Sequence, residues 1–525
     1  MESAGTRASP RARMPRIVGL AWMAITLVAG AWGYAIGGSS DGYWERRASI
    51  LLEEESAMIG GDLVFEEKER LVNQMLMKAK HKEIDDAFIH KATFLPSQSF
   101  LLVSDKIRES PVFKIIEQMP KGAVLHTHDT AIGSSDYLFS NVTFRPNLYM
   151  CDLNGQLWFQ FFDKPDRKDC NWQLLSELRK KDTNNLIDQR ISRQLTMVTE
   201  QPEKTYPDST IAWTKFIDIF RLITPMLTYR PVYEDYFYHG LLDLYNDNVF
   251  YIELRSTLPT LYELDGTKYG PIEVALIYKK VTERFMQDYP HFLGMKLIYA
   301  PIRSMETAQF NESLKVALEL KRTMPNFFAG FDLVGFEEQG PPLINFADQI
   351  RTLDDGIFRF FHAGETDWYG TNTDENLVDA LMLNTKRIGH GYAILKHPEL
   401  LKYARNKKVA IEISPISNQV LVLVKDLRNH PASVLFAENY PVIISNDDPG
   451  LWGSRGLSYD FYEAFVGMMS RNADLRALKQ LAMNSILYSA MSDKEKNRAM
   501  EIWKNRWDEF IEKMNDDVLC KYSRL

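Results

Sequence analysis

From residue 121 to residue 444 the chain repeats one beat: a short apolar run, a polar loop, then residues at helical spacing. The apolar runs are Ala123 to Leu125, Val249 to Leu254, Met295 to Tyr299, Ala329 to Val334, Ile357 to Phe361, Arg387 to Ile388, Val409 to Ile413 and Val442 to Ile444. Stretches 272–287, 311–322, 376–382 and 432–438 lie between them with helical periodicity. Strands that alternate with helices pair in parallel with the helices packed outside, and eight is the count that closes such a sheet on itself. The expected fold class is therefore α/β, a (β/α)8 TIM-type barrel. The interval from Leu125 to Val249 is far longer than one βα connection needs, which predicts an insertion after the first strand. Its strand-like aromatic pieces place that insertion at residues 134–185.

Chemistry collects at the ends of these runs. The first closes in His126-Thr127-His128-Asp129, and alternation along a strand puts His126 and His128 on one face. The fifth closes in His362-Ala363-Gly364-Glu365, an imidazole and a carboxyl three residues apart across a small-residue turn. His390 ends the sixth between glycines that let backbone approach a ligand closely. The eighth ends in Asp447-Asp448-Pro449, where two adjacent carboxylates repel unless a cation or a shared proton relieves them. Three histidines and a carboxylate, each from a strand end, make a nitrogen/oxygen donor set suited to one zinc ion with an open position for water.

The flanks are of another character. Arg7, Arg11, Arg13 and Arg16 precede an almost wholly apolar stretch from Ile17 to Gly38. That pattern is a signal peptide cleaved near Ala29-Gly30-Ala31, or a signal anchor that holds the protein in a membrane. Residues 39–118 are rich in Glu, Lys, Leu and Met. Phe65, Val72, Met75, Leu76 and Ala79 share one helical face there, which suits an assembly arm or a helix capping the barrel. The barrel domain is expected over 119–525. With three cysteines in the chain, Cys151 and Cys170 are placed to close a short loop in an oxidising compartment, and Cys520 is left over. Asn141-Val142-Thr143 and Asn311-Glu312-Ser313 are glycosylation sequons. A net charge of -8 argues against a nucleic-acid partner, which needs a basic stripe.

Several motifs together carry a resemblance. They are Met119 to Ala123 leading into His126-Thr127-His128-Asp129, Gly330-Phe331-Asp332-Leu333-Val334-Gly335, His362 to Trp368, Arg387-Ile388-Gly389-His390-Gly391, Pro415-Ile416-Ser417-Asn418-Gln419-Val420-Leu421 and Asp447-Asp448-Pro449. Over roughly residues 110–510 the chain resembles the adenosine deaminase growth factor family, the secreted adenosine deaminase 2 group. The resemblance implies zinc held by His126, His128, His362 and Asp447, a proton given to purine N1 by Glu365, and His390 with Asp448 orienting and deprotonating the attacking water. It implies substrate contacts at Asp129, Trp213, Gly335 and Trp368, an extracellular adenosine and 2′-deoxyadenosine deaminase, a homodimer built on the N-terminal arm, and a receptor-binding-like insertion for a cell-surface receptor or glycan. Two departures stand out. Ser414 replaces the family's cysteine before Pro415, and Ile302 replaces a histidine near the sugar, which puts nucleoside affinity in question. Other outcomes compatible with the residues are a deaminase of another aminopurine nucleoside and a signalling or glycan-binding factor that uses the barrel as a scaffold. The Pro-Cys-x-x-Cys ligands of the base-editing zinc deaminases are absent from the sequence.

Overall fold

The computed structural model describes residues 42–165, 169–354 and 356–522. The expected signal segment, 1–38, lies outside them. No helix among the described residues is long and apolar enough to cross a membrane. The chain divides into two units, Met1–Glu53 and Glu54–Leu525. Of the first, the described part begins the helix Tyr43–Ala57.

The second unit is built on a closed parallel sheet. Its strands in barrel order are Gly122–His128, Val249–Ser256, Gly294–Tyr299, Phe328–Phe331, a fifth in two pieces (Phe358–Arg359 and His362–Ala363), Arg387–His390, Ala410–Ile413 and Val442–Ile444. The first five pair in sequence, as do the second piece of the fifth and the last three. The gap inside the fifth strand is carried by Phe360 N–H donating to the Phe331 carbonyl and Gly389 N–H donating to that of Phe361. Closure comes from a parallel bridge between Thr127 and Asp447, with His128 N–H donating to the Asp447 carbonyl at 3.0 Å. Each strand is buried on both faces or nearly so, which is why the runs read as continuously apolar rather than alternating.

Among the strand boundaries that differ from expectation, two have local reasons. The fourth strand stops at Phe331 rather than Val334, because Asp332 Oδ1 accepts from both Leu333 N–H and His362 N–H and turns the chain away. The fifth breaks at Phe360-Phe361 as it passes from its pairing with the fourth strand to its pairing with the sixth.

Between the first two barrel strands lies a three-stranded antiparallel sheet of Leu148–Leu153, Gln156–Phe161 and Gln173–Leu174, and Cys151 and Cys170 are joined in a disulfide. Helices Ser209–Leu227 and Arg230–Asn246 return the chain to the barrel. The helix Glu67–Ile89 is a cap on this unit: it buries Val72, Leu76 and Ala87, and Glu69 accepts from Trp507 Nε1 at 2.6 Å and from Lys479 at 2.5 Å. Its Lys80 is fully buried. That ammonium donates to the carbonyls of Ser470 and Ala473, each at 2.8 Å, and lies 3.7 Å from the centre of the Phe465 ring.

Candidate metal and catalytic site

The polar residues at the strand ends converge. His126 and His128, two apart on the first strand, bring their Nε2 atoms to 3.3 Å, and Asp447 Oδ1 lies 3.2 Å from the first and 3.0 Å from the second. The donor atoms of His126, His362, His390 and Asp447 all fall within 4.8 Å of one another, as do those of His128, Asp447 and Asp448. Gly389 makes room for this: a Cβ there would meet His126 Cε1 at 3.1 Å and the His362 Cα at 3.2 Å.

The ring tautomers fit a metal. His126 Nδ1 bonds Glu412 Oε2 at 2.9 Å and His362 Nδ1 bonds Asp332 Oδ2 at 2.7 Å. A carboxylate only accepts, so each Nδ1 carries the proton and each Nε2 presents a lone pair to the cluster. Lone pairs and a carboxylate oxygen crowded together repel unless a cation lies among them, and an N/N/N/O set of this kind suits zinc. Burial pushes His362 down to about 4 despite the pull of Asp332, so the ring is neutral as a ligand must be.

The carboxyl groups divide by environment. Burial, then Asp447 and Glu337, push Glu365 well above the usual range. Its Oε1 accepts no hydrogen bond among the described residues and lies 3.6 Å from His390 Nδ1. Glu337 seats the turn below it, accepting from the backbone N–H groups of Gly364 and Glu365 and from Asn376. Asp448 is likewise pushed up, by burial and then by Asp447. Burial acts against Asp447 too, but His390, His126 and His128 outweigh it and hold that group well down. One buried neighbourhood thus pulls one carboxyl down and pushes two others up. His390 and Asp447 also share a left-handed backbone, φ 60° and 58°, at a cost on the order of 1 kcal/mol each.

The expected substrate contacts are more dispersed. Trp213 stacks on Phe336 with ring centres 4.6 Å apart and planes 9° apart. Asp129 is buried, and its carboxylate accepts from the Tyr278 hydroxyl at 2.6 Å and from Thr130. Gly335 has φ 111°, and a Cβ there would touch Ile302. Trp368 is 61% exposed and Ile302 51%, so both lie at an open rim. Ser414 is fully buried.

Sequence reasoning gave no role to a belt of charge inside the barrel. Arg255 donates to Asp332 and Glu412, both at 2.8 Å, and Arg387 donates to Glu253 at 2.7 Å and to Glu412. The available signal was the presence of Glu253 and Glu412 inside runs otherwise apolar, with Arg255 directly after one of them.

The sequence matches the adenosine deaminase family over residues 173–504 and the adenosine/AMP deaminase N-terminal family over 22–116. It is 45% identical to adenosine deaminase 2 of Homo sapiens over 475 residues, 89% of this chain and 93% of that protein. It is also 45% identical to an adenosine deaminase of Lutzomyia longipalpis, over 90% of this chain and 94% of that one. Among solved structures, an adenine deaminase of Arthrobacter aurescens superposes with a TM-score of 0.52 at 20% identity, covering 74% of this chain and 98% of that one. The N6-methyl-AMP deaminase of Arabidopsis thaliana does so with 0.53 at 16%, covering 76% and 99%. At such identities these two speak to the fold. The extent of the sequence matches, on a barrel with histidines and paired aspartates at its strand ends, places the assignment beyond fold: the chain belongs to the adenosine deaminase family, in its adenosine deaminase 2 and growth-factor branch.

Proposed function

We propose that this protein is a zinc-dependent deaminase that converts adenosine and 2′-deoxyadenosine to inosine and 2′-deoxyinosine with release of ammonia. The observation that carries the reading is the convergence of His126, His128, His362 and Asp447 at the strand ends, with the buried Glu365 and Asp448 beside them. His126, His128, His362 and Asp447 hold one zinc ion, which when bound supplies a Lewis acid that lowers the pKa of water. Glu365 gives its proton to purine N1, which makes C6 electrophilic. His390 and Asp448 orient and deprotonate the attacking water. Trp213, Trp368, Gly335 and Asp129 position base and sugar. Zinc-loaded protein given adenosine is expected to release ammonia as the 6-amino absorbance falls. No ammonia at one zinc per chain overturns the reading, and release from another aminopurine nucleoside alone reassigns the substrate.

Around that chemistry we propose a secreted glycoprotein that limits extracellular adenosine and thereby acts on cell growth. Support comes from the basic and apolar N-terminus, the Cys151–Cys170 disulfide, and the exposure of Asn141 and Asn311. Residues 39–118 serve a homodimer, and Trp44, Leu51 and Leu52 are exposed there. Residues 134–185 offer a surface to a receptor or glycan. A monomer in sedimentation at micromolar concentration overturns the dimer, and retention of full-length chain in membranes favours an anchor over a secreted form.

A further inference from the structure

His430 is buried, 1% exposed, and has no part in the chemistry above. Ala432 N–H donates to its Nδ1 at 3.1 Å. A backbone amide has a hydrogen to give and nothing to accept with, so Nδ1 is bare and the proton of the neutral ring sits on Nε2. That Nε2 is 3.0 Å from Asn418 Oδ1. Asn418 therefore shows its oxygen to His430 and its amide nitrogen to the other side, where Nδ2 lies 3.5 Å from His390 Nδ1. An amide NH2 only donates, so His390 Nδ1 must accept.

We infer that His430 and Asn418 are positioning residues that fix the proton of His390 on Nε2, the nitrogen facing Asp447, through a buried hydrogen-bond relay running one way. The inference rests on His390 handling the reacting water of a deaminase. Its parts are held in place. Asn418 is fully buried, and its carbonyl accepts from Leu423 and Val424 in a turn where Val422 takes φ 66°, rare for a β-branched residue. The His430 ring meets the edge of Tyr392 at 5.1 Å, and the Tyr392 hydroxyl donates to Leu423 O. Burial also pushes His430 down to about 3, which keeps its ring neutral and the relay in one direction.

Two consequences follow for the mouth. A nitrogen that carries a proton cannot ligate a metal, so His390 stands beside the ligand set although its donor atom falls within the cluster. It orients water by donating, and proton acceptance falls to Asp448. With His390 Nδ1 accepting from Asn418, that nitrogen has no proton to give to Glu365 Oε1 at 3.6 Å.

The test reads the tautomer directly. Zinc-loaded full chain with 15N-labelled histidine is examined by long-range proton–nitrogen correlation, with the His390 signals assigned by their loss in His390→Gln. The wild type is expected to show His390 protonated on Nε2. Asn418→Asp, which only accepts, should move that proton to Nδ1, leave zinc content at one per chain, and lower kcat roughly 10- to 100-fold with KM little changed. His430→Phe should give a mixture of tautomers, and His430→Gln, whose amide can accept from Ala432 and donate to Asn418, should restore both tautomer and rate. A wild-type His390 protonated on Nδ1 overturns the relay by itself. An unchanged tautomer in both Asn418→Asp and His430→Phe overturns it as well. Absence of deaminase activity in the wild type would strike the proposed function instead, because the tautomer is read without turnover.

Discussion

Two groups of buried charge occupy this barrel and are handled in opposite ways. In the belt between the strands, each carboxylate meets a guanidinium: Asp332 and Glu412 bond Arg255, and Glu412 and Glu253 bond Arg387. Remaining guanidinium hydrogens go to carbonyls of Leu125, Phe360 and Tyr488. At the strand ends no lysine or arginine among the described residues pairs with Glu365, Asp447 or Asp448. Burial raises both sets, but in the belt the cations and imidazoles win and hold Asp332 and Glu412 well down, whereas at the mouth Glu365 and Asp448 stay up. Matched charge is scaffold, and unmatched charge is reactive. The belt also touches the mouth directly, since Glu412 and Asp332 grip the outer nitrogens of His126 and His362.

The largest effect is expected from removing the ionised member of the mouth. Asp447→Ala should abolish both metal content and turnover, because Asp447 Oδ1 is the oxygen on which His126 and His128 converge. Metal analysis checks it, and stoichiometric zinc in the variant removes Asp447 from the ligand set. Next is Glu365→Gln, which keeps shape and loses the acid. A fall in kcat of about 10²- to 10⁴-fold is expected with zinc retained. Near-normal turnover would mean that N1 is protonated by another group.

Glu412→Gln attacks the scaffold beneath the mouth instead. It removes the charge that Arg255 and Arg387 share, and its NH2 must face either Arg387 or the His126–Arg255 side, which weakens the grip on the His126 tautomer. Stability should fall by about 3–5 kcal/mol as a buried pair is broken, and zinc affinity by roughly 10- to 100-fold. Chemical denaturation and competitive chelation measure the two separately. A stability loss without any change in affinity would show that the belt does not orient the ligands.

How much of this could be read in the sequence follows the same division. His126, His128, His362, Glu365, His390, Asp447 and Asp448 were legible because each polar residue comes as an apolar run ends, and a barrel gathers those ends on one face. The belt was not. Glu253, Arg255 and Glu412 sit inside strands, where a charge reads as an exposed face until eight strands close around it. Lys80 was hidden likewise, because its partners are carbonyls of Ser470 and Ala473, far along the chain. The relay from His430 depends on a turn with Val422 at positive φ, which no spacing rule anticipates. The split of the fifth strand is a matter of register and leaves no mark in composition.

The smallest effect sharpens the comparison from outside both groups. Glu463, in the π-helical segment Glu463–Met468, is fully buried, and neither of its carboxyl oxygens accepts a hydrogen bond among the described residues. Burial, then nearby Asp460, raise it well above 4.5, so it belongs with the unmatched carboxyls although it lies off the mouth. The folded chain keeps this proton at pH values where the unfolded chain has released it. Stability contributed by the group is therefore fully present below about pH 4.5, its unfolded value, and is lost as pH rises toward the folded value, at most about 1.4 kcal/mol per unit. Glu463→Gln removes the titration while keeping the shape. The variant should match the wild type near about pH 5 and exceed it by on the order of 1 kcal/mol or more near about pH 8, with kcat unchanged. Denaturation curves across that range decide. If the two proteins lose stability in parallel, Glu463 is paired by something that also satisfies its ionised form, and it does not belong with the unmatched carboxyls of the mouth.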